Sequence, residues 1–429
     1  MTRATTATGT ELPHWPTPPD DLPAAIREVK AALRARIAAS GRSVNEVFAV
    51  MEDRVRARVE EIAADQARGA TVWPVIDYAD IEAGTVAPED LAALRRRGCL
   101  VVRGHFDRDQ ALGWDQEILD YTETNRFFEN YQGPADDFFG TVGSRPEIYP
   151  IYWSRPQMRA RQSDRMARVQ AFLNAQWTSE SEGVRWFDPG RDSLYPDRIR
   201  RRPEGADSAG LGTHLDPGNL DLWMTQDYQR AFRHLFDGTV ERYDPWDAAY
   251  RTAGVQYPGT TTCSAFRTFQ GWTALSDMDH DQGVLHTVPI PEAMGYLMLR
   301  PLLDDVPDDD MCGVTVNRAF PASETWHPLP LRALSGIPDV KAGDSVWWHC
   351  DMIHSVAPVT DQRGWGNVMY IPAAPWCPRN ERYSARVREA FRTGSSPDDF
   401  PGENYERGWA GRFGEDELNA TGRRGLGLS

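Results

Sequence analysis

Apolar residues change their spacing along this chain, and the changes predict its elements. Between Leu22 and about Ala67 they recur at helical intervals, with Val47, Val50, Met51, Val55 and Val59 on one stripe. Gly41-Arg42-Ser43 interrupts the stretch, so the spacing predicts a helical hairpin. Next come a predicted strand over 72–78 (VWPVIDY), a helix from about Pro88 to Arg97, a buried strand over 98–103 (GCLVVR) and a helix near Arg108 to Thr124. Residues 125–150, rich in Gly, Pro, Asp and Phe, read as loop. Helical spacing returns from Ser154 to Trp177, with a core-packing stripe of Met166, Val169, Leu173 and Trp177. Beyond about residue 210 it fades, except over Leu222 to Phe236. Short β-rich segments bounded by Gly, Pro and Asp take over: SAFRTFQGWTAL, GVLHTVPI, YLMLRPLL, GVTVNRAF, DSVWWH and NVMYIPAA. Such a series predicts an antiparallel barrel or sandwich. A last helix is predicted near Asn380 to Thr393.

A chain of 429 residues is long enough to bury a full core, and a hydrophobic fraction of 41% with 15 Trp fits a folded enzyme. The expected division is a disordered start (1 to about 20) and helical extension over 1–70, then one domain over 71–429. A net charge of -16 argues against wrapping nucleic acid, which needs clustered positive charge. Five scattered Cys with no CxxC pair make neither a disulfide framework nor a zinc knuckle, and they fit a reducing compartment. The N-terminus lacks the apolar segment of a signal peptide, and no run reaches the ~20 apolar residues of a membrane helix. The expectation is a cytoplasmic protein with a small-molecule substrate and neither nucleic acid nor membrane as partner.

Two of the nine His sit in informative settings. In Gly212-Thr213-His214-Leu215-Asp216-Pro217-Gly218, residues i and i+2 of a strand point to one side, so His214 and Asp216 can reach one metal ion. The following Pro-Gly ends the strand and leaves the pair at its mouth. In GDSVWWHCDMIHSV (343–356), a turn leads into a strand and His354 ends a second apolar stretch. Two imidazoles and one carboxylate on one face of an octahedral ion leave positions open for an oxidant and a cosubstrate, the arrangement of non-heme Fe(II) oxygenases. An HxD alone is a weak signal. The downstream GD-x-x-x-W-H-x-x-x-x-H strengthens it, and between the two lie Gly271-Trp272-Thr273-Ala274-Leu275 and Gly283-Val284-Leu285.

This order of HxD, W-x-A-L, G-x-L and GD…WH…H resembles the phytanoyl-CoA-hydroxylase type of 2-oxoglutarate oxygenase. FRTFQGWTAL, GDSVWWHCDMIHSVAP, GWGNVMYIPAAP and YWSRPQ (152–157) resemble the YbiU-like family of bacterial and fungal proteins more closely, from about residue 70 onward. The resemblance implies a double-stranded β-helix (jelly-roll, cupin-like) barrel with flanking helices, an α+β architecture. It also implies Fe(II), 2-oxoglutarate and O2, with release of succinate and CO2 as an unactivated C–H bond is oxidised, most simply hydroxylated. It names no substrate; a small polar, amino-acid-derived metabolite is the expectation. Where the broader type has Pro-Gly-Ser-His after G-x-L, this chain reads Pro289-Ile290-Pro291.

The distal carboxylate of 2-oxoglutarate calls for a cation, and the planar fork of Arg suits it. Arg363, nine residues after His354, is one candidate by position; Arg267, sharing a face with Ala265, Phe269 and Leu275 in an extended segment, is the other. His349 reads as structural, His280 and His286 as surface or barrel residues, and Asp344 as a turn residue. Tyr152 and Trp153 either line a pocket or pack. Arg198-Ile-Arg-Arg-Arg-Pro203 reads as a solvated loop that could attract an anionic substrate. Two rival functions use the same features: a Zn or Mn hydrolase on the same three ligands, and a metal-free cupin-like binding protein.

Overall fold

The computed structural model describes residues 16–133, 146–216, 218–257, 263–400, 402 and 404–428. The disorder expected over the first 20 residues therefore falls largely outside the described residues, as does part of the 125–150 loop.

The hairpin forms as its spacing predicts, from α1 (Leu22–Ala38) and α2 (Val44–Ala67). Ser43 starts α2 through a reciprocal cap: its hydroxyl accepts from the Glu46 backbone at 3.2 Å, and the Glu46 carboxylate accepts from the Ser43 backbone at 2.7 Å. The inner stripe of Val47, Met51, Val55, Val59 and Ile62 is buried. Further on, the predicted helices appear at Pro88–Arg97, Arg108–Thr124 and Pro378–Thr393. The stretch from Ser154 splits into Arg155–Arg161 and Asp164–Asn174, because Ser163 caps a new helix by accepting from the Met166 backbone. Leu222 to Phe236 likewise breaks into Asp221–Met224, Gln226–Ala231 and Arg233–Phe236.

Two large sheets form the centre. In chain order their strands are β1 (Val75–Asp77), β2 (Cys99–Arg103), β3 (Ile148–Tyr149), β4 (Ile199–Arg200), β5 (Leu211–Leu215), β6 (Phe269–Ala274), β7 (Leu285–Thr287), β8 (Phe320–Pro321), β9 (Ser335–Gly336), β10 (Ser345–His349), β11 (His354–Val356) and β12 (Val368–Tyr370). A seven-stranded sheet has the order β1-β2-β10-β6-β12-β4-β3, and a five-stranded sheet the order β8-β5-β11-β7-β9. From β4 the chain switches sheet at each step to β7, stays in the small sheet for β8 and β9, then alternates again through β12.

Side chains from both sheets meet in one cluster: Val101, Trp272, Val346, Trp348 and Val368 from the large sheet, Leu285 from the small one. The outer face of the large sheet, with Leu100, Ile199, Trp347 and Met369, packs under Trp114, Ile118 and Leu173 of the helices. The outer face of the small sheet meets the hairpin through Leu215 and Phe320. The large sheet is buried on both faces, which is why its strands read as apolar runs rather than as alternation. The result is a mixed α+β architecture.

Two expected strands are corrected. YLMLRPLL (296–303) is helical instead, its YLML ending the fully buried helix Ala293–Leu299 and Arg300–Leu302 forming a 3-10 turn; a helix without a polar face shows no helical period. GVTVNRAF contributes only Phe320 to a strand, because Cys312, Gly313 and Asn317 take left-handed backbone angles that break an extended run.

Candidate metal centre

β5 and β11 are antiparallel neighbours, and their register sets His214 opposite His354. The two rings lie 4.3 Å apart at 52°. Asp216 follows one residue past the end of β5. The Nδ1 of His214 lies 2.7 Å from the Gly212 carbonyl, and that of His354 lies 3.1 Å from the Met352 carbonyl. A carbonyl only accepts, so each Nδ1 carries a proton and each neutral ring turns the lone pair of Nε2 toward Asp216. The distances to Asp216 Oδ1 are 3.3 Å from His214 and 3.7 Å from His354. All three donor atoms lie within 4.8 Å of one another.

Three acceptors converging in a buried place repel unless something positive sits among them. A metal cation fits, and the carbonyl-anchored Nδ1 is the usual second contact of a metal-bound imidazole. Without a cation a proton does the same work. Burial opposes charging His214, yet its hydrogen bond and attraction to Asp216 raise its pKa. Burial also opposes ionising Asp216, but His354, His214 and Arg267 together hold the carboxyl below its ordinary range. His354, deeper and beside His214, is held down to about 4 by burial and by that neighbour, in the neutral form a ligand needs.

The three residues line a cavity of about 150 Å³ between the sheets, whose other wall includes Arg200, Gln270, Trp272 and Tyr370. Arg267 lines the same cavity just before β6. Its guanidinium carbon lies 5.4 Å from the Tyr195 ring centre, and among the described residues it has no ion-pair or hydrogen-bond partner. It does not share a face with Phe269, which packs on the opposite side of the large sheet against Trp246 and His349; the chain before β6 is not extended, so the alternation does not reach back to Arg267. Arg363 lies elsewhere. Its side chain is 62% exposed and bonded to Asp281 at 2.7 Å, away from the cavity lining.

The remaining candidates find structural places. His349 is buried, stacked on Trp177 at 4.5 Å, with Nε2 bonded to the Pro245 carbonyl and Nδ1 accepting from the Asp351 backbone. It adjoins Cys350 and Asp351 in a second group with ligand-type atoms, but both its nitrogens are engaged and Asp351 is paired with Arg251. Asp344 is a turn residue bonded to Arg103 and to the Gly104 and Lys341 backbones. His280 pairs with Asp339 at the surface. Tyr152 and Trp153 are packed in a cluster behind the cavity wall; they do not line the cavity themselves, but Tyr195 and Cys263 of the same cluster do. The reading of 198–203 as a solvated loop is overturned: Arg198, Arg200, Arg201 and Arg202 are all buried, and Ile199–Arg200 is a strand. Composition suggested solvent; the alternation of Arg198 and Arg200 around Ile199 was the signal for a strand.

The class defined so far is a mixed α+β protein with a His-Asp-His cluster opening into a cavity between two sheets. The chain belongs to the Gig2-like family, whose profile matches residues 20–428. It is 57% identical over 413 residues to the uncharacterized protein YbiU of Escherichia coli (strain K12), covering 96% of this chain and 97% of that protein. The crystal structure of the "Putative Oxidoreductase" of Salmonella typhimurium LT2 matches with a TM-score of 0.92 at 56% identity, over 96% of this chain and 98% of that one. The fold extends to GlcNAc Inducible Gene 2 of Candida albicans, with a TM-score of 0.75 at 23% identity over 97% and 91% of the two chains. Among the described residues no helix is long and apolar enough to cross a membrane.

Proposed function

We propose that this protein is a non-heme Fe(II)- and 2-oxoglutarate-dependent oxygenase acting on a small molecule in the cytoplasm. The observation that carries the reading is the convergence of His214, Asp216 and His354, both rings fixed by backbone carbonyls, beside a cavity-facing Arg267 that has no hydrogen bond or ion pair among the described residues. The alternation of strands between two facing sheets supports a double-stranded β-helix core within residues 71–429, with residues 1–70 as its helical extension. The oxidoreductase name borne by the Salmonella relative agrees.

On this reading His214, Asp216 and His354 hold Fe(II), which with 2-oxoglutarate and O2 supplies an oxidant strong enough for an unactivated C–H bond, with succinate and CO2 released. Arg267 takes the distal carboxylate of 2-oxoglutarate, which gives its guanidinium a direct ion pair. Trp272, Trp348 and Tyr370 wall the cavity from water and position the substrate. A Zn or Mn hydrolase on the same ligands would bind metal without needing 2-oxoglutarate. Anaerobic equilibrium dialysis tests the reading: the protein should bind about one Fe(II) per chain, with 2-oxoglutarate retained only when the metal is present. His214→Ala, Asp216→Ala and His354→Ala should each lose the metal and succinate release; full binding and turnover in any of them would sink the assignment.

A further inference from the structure

Arg200 lies on β4 and Arg198 just before it, and the register of β4 fixes where Arg200 points. Arg200 pairs with Val368 of β12 and Ile148 of β3, and Val368 pairs with Ala274 of β6. Directly opposed residues share a face, and Val368 and Ala274 belong to the cluster between the sheets. Arg198 and Arg200 therefore face the cavity together, whereas Ile199 and Arg201 face the helices. The outward pair is satisfied: Ile199 is core, and Arg201 grips Asp115 at 3.0 and 2.9 Å. Arg202 takes the carboxylate of Glu147 at 3.3 Å. Arg200 is 7% exposed and has no carboxylate partner among the described residues; its one hydrogen bond runs to the Gly366 carbonyl at 3.4 Å. The guanidinium of Arg198 lies 4.4 Å from the Phe400 ring centre at the same wall.

A buried guanidinium without an anion is costly; Arg267 before β6 is drawn to Asp216 and Asp197, whereas Arg200 on β4 has no carboxylate partner among the described residues. We infer that Arg200, flanked by Arg198, is the subsite for one negatively charged group of the substrate, a carboxylate or a phosphate ester, distinct from the cosubstrate cation at Arg267. Charge supports this, on the oxygenase reading above. Arg198, Arg200 and Arg267 line the cavity against Asp197 and Asp216. A divalent ion adds two positive charges and 2-oxoglutarate removes two, so one remains for a monoanion to neutralise. Away from the arginines the walls include the apolar patch of Met278, Val284, Leu285 and Ile337, so the substrate joins an acidic head to an apolar body.

Calorimetric titration tests this on the full chain, both metal-free and loaded with Zn(II) and 2-oxoglutarate. The probes are hexanoate and hexyl phosphate, with hexanol and hexylammonium as controls of the same body. Wild type should bind one of the anions at least about tenfold more tightly than hexanol; which anion it prefers tells carboxylate from phosphate. Arg200→Gln should abolish that preference, Arg200→Lys should keep part of it, and Arg267→Gln should leave it in place. Binding of 2-oxoglutarate should be unchanged in Arg200→Gln. The inference is overturned if neither anion outbinds hexanol, if Arg200→Gln keeps the preference while folded by circular dichroism, or if that variant loses 2-oxoglutarate instead. Failure of wild type to bind 2-oxoglutarate, with an Arg200-dependent anion preference intact, would remove the oxygenase reading and leave the subsite standing.

Discussion

The character of the site is set by single atoms. Each imidazole of the proposed metal site, His214 and His354, spends Nδ1 on a carbonyl two residues upstream, which fixes both tautomer and ring orientation. The same residue scale separates the two cosubstrate candidates. Arg363 already has Asp281 and sits in water, so a surface pair of this kind contributes little. Arg267 faces the cavity without a hydrogen bond or ion pair among the described residues. Arg267→Gln should therefore raise the KM for 2-oxoglutarate roughly 30- to 1000-fold, the loss of a charge-assisted contact of about 2–4 kcal/mol, with Fe(II) affinity little changed. Arg363→Ala should leave that KM alone. Succinate formation against 2-oxoglutarate concentration checks both, and a large effect at Arg363 with none at Arg267 would reverse the assignment.

At the scale of elements, β6 and β10 form the spine of the large sheet, and their close packing leaves no spare room. A Cβ on Gly271 would sit 2.4 Å from the ring of its cross-strand neighbour Trp347, which is itself fully buried. Gly271→Ala should cost about 1–3 kcal/mol through overpacking, read as a lower Tm, with metal still bound by the folded protein. His349 ends β10 between Trp177 and Trp246. His349→Ala opens a cavity there and leaves the Asp351 backbone donor unmet, for a loss on the order of 2–4 kcal/mol. Denaturant unfolding with and without Fe(II) separates the two roles: a variant that is destabilised yet still binds metal has lost packing, whereas loss of metal from the folded variant would make His349 a ligand.

The whole molecule is built from four layers: helices, the large sheet, the small sheet and the N-terminal hairpin. Leu33, Ile37, Val47, Met51, Val55 and Val59 share one buried cluster with Leu215 and Phe320, the strand residues next to the His-Asp pair. Removing residues 1–67 would bare that face, and exposed apolar surface of this extent drives association. The truncated chain should elute as aggregates in size-exclusion chromatography and lose Fe(II) binding. A monodisperse truncated protein that keeps its metal would show that the hairpin is dispensable to the site.

The sequence by itself determined what depends on neighbours along the chain. Periodicity and caps placed both hairpin helices, the Pro88 and Arg108 helices and the last helix, because propensity and capping act within a few residues. The i, i+2 spacing put His214 and Asp216 on one side of a strand, a matter of local geometry. The tertiary structure decided the rest. Alternation says that two side chains share a face, not which face is inside; hence Arg198 and Arg200, expected in water, lie in the cavity, and Arg267, expected beside Phe269, lies across the sheet from it. The meeting of His354 with His214 depends on the register of two strands distant in sequence, which no local rule supplies. The buried helix at Ala293–Leu299 was illegible for the complementary reason: surrounded on all sides, it had no polar face to show its period.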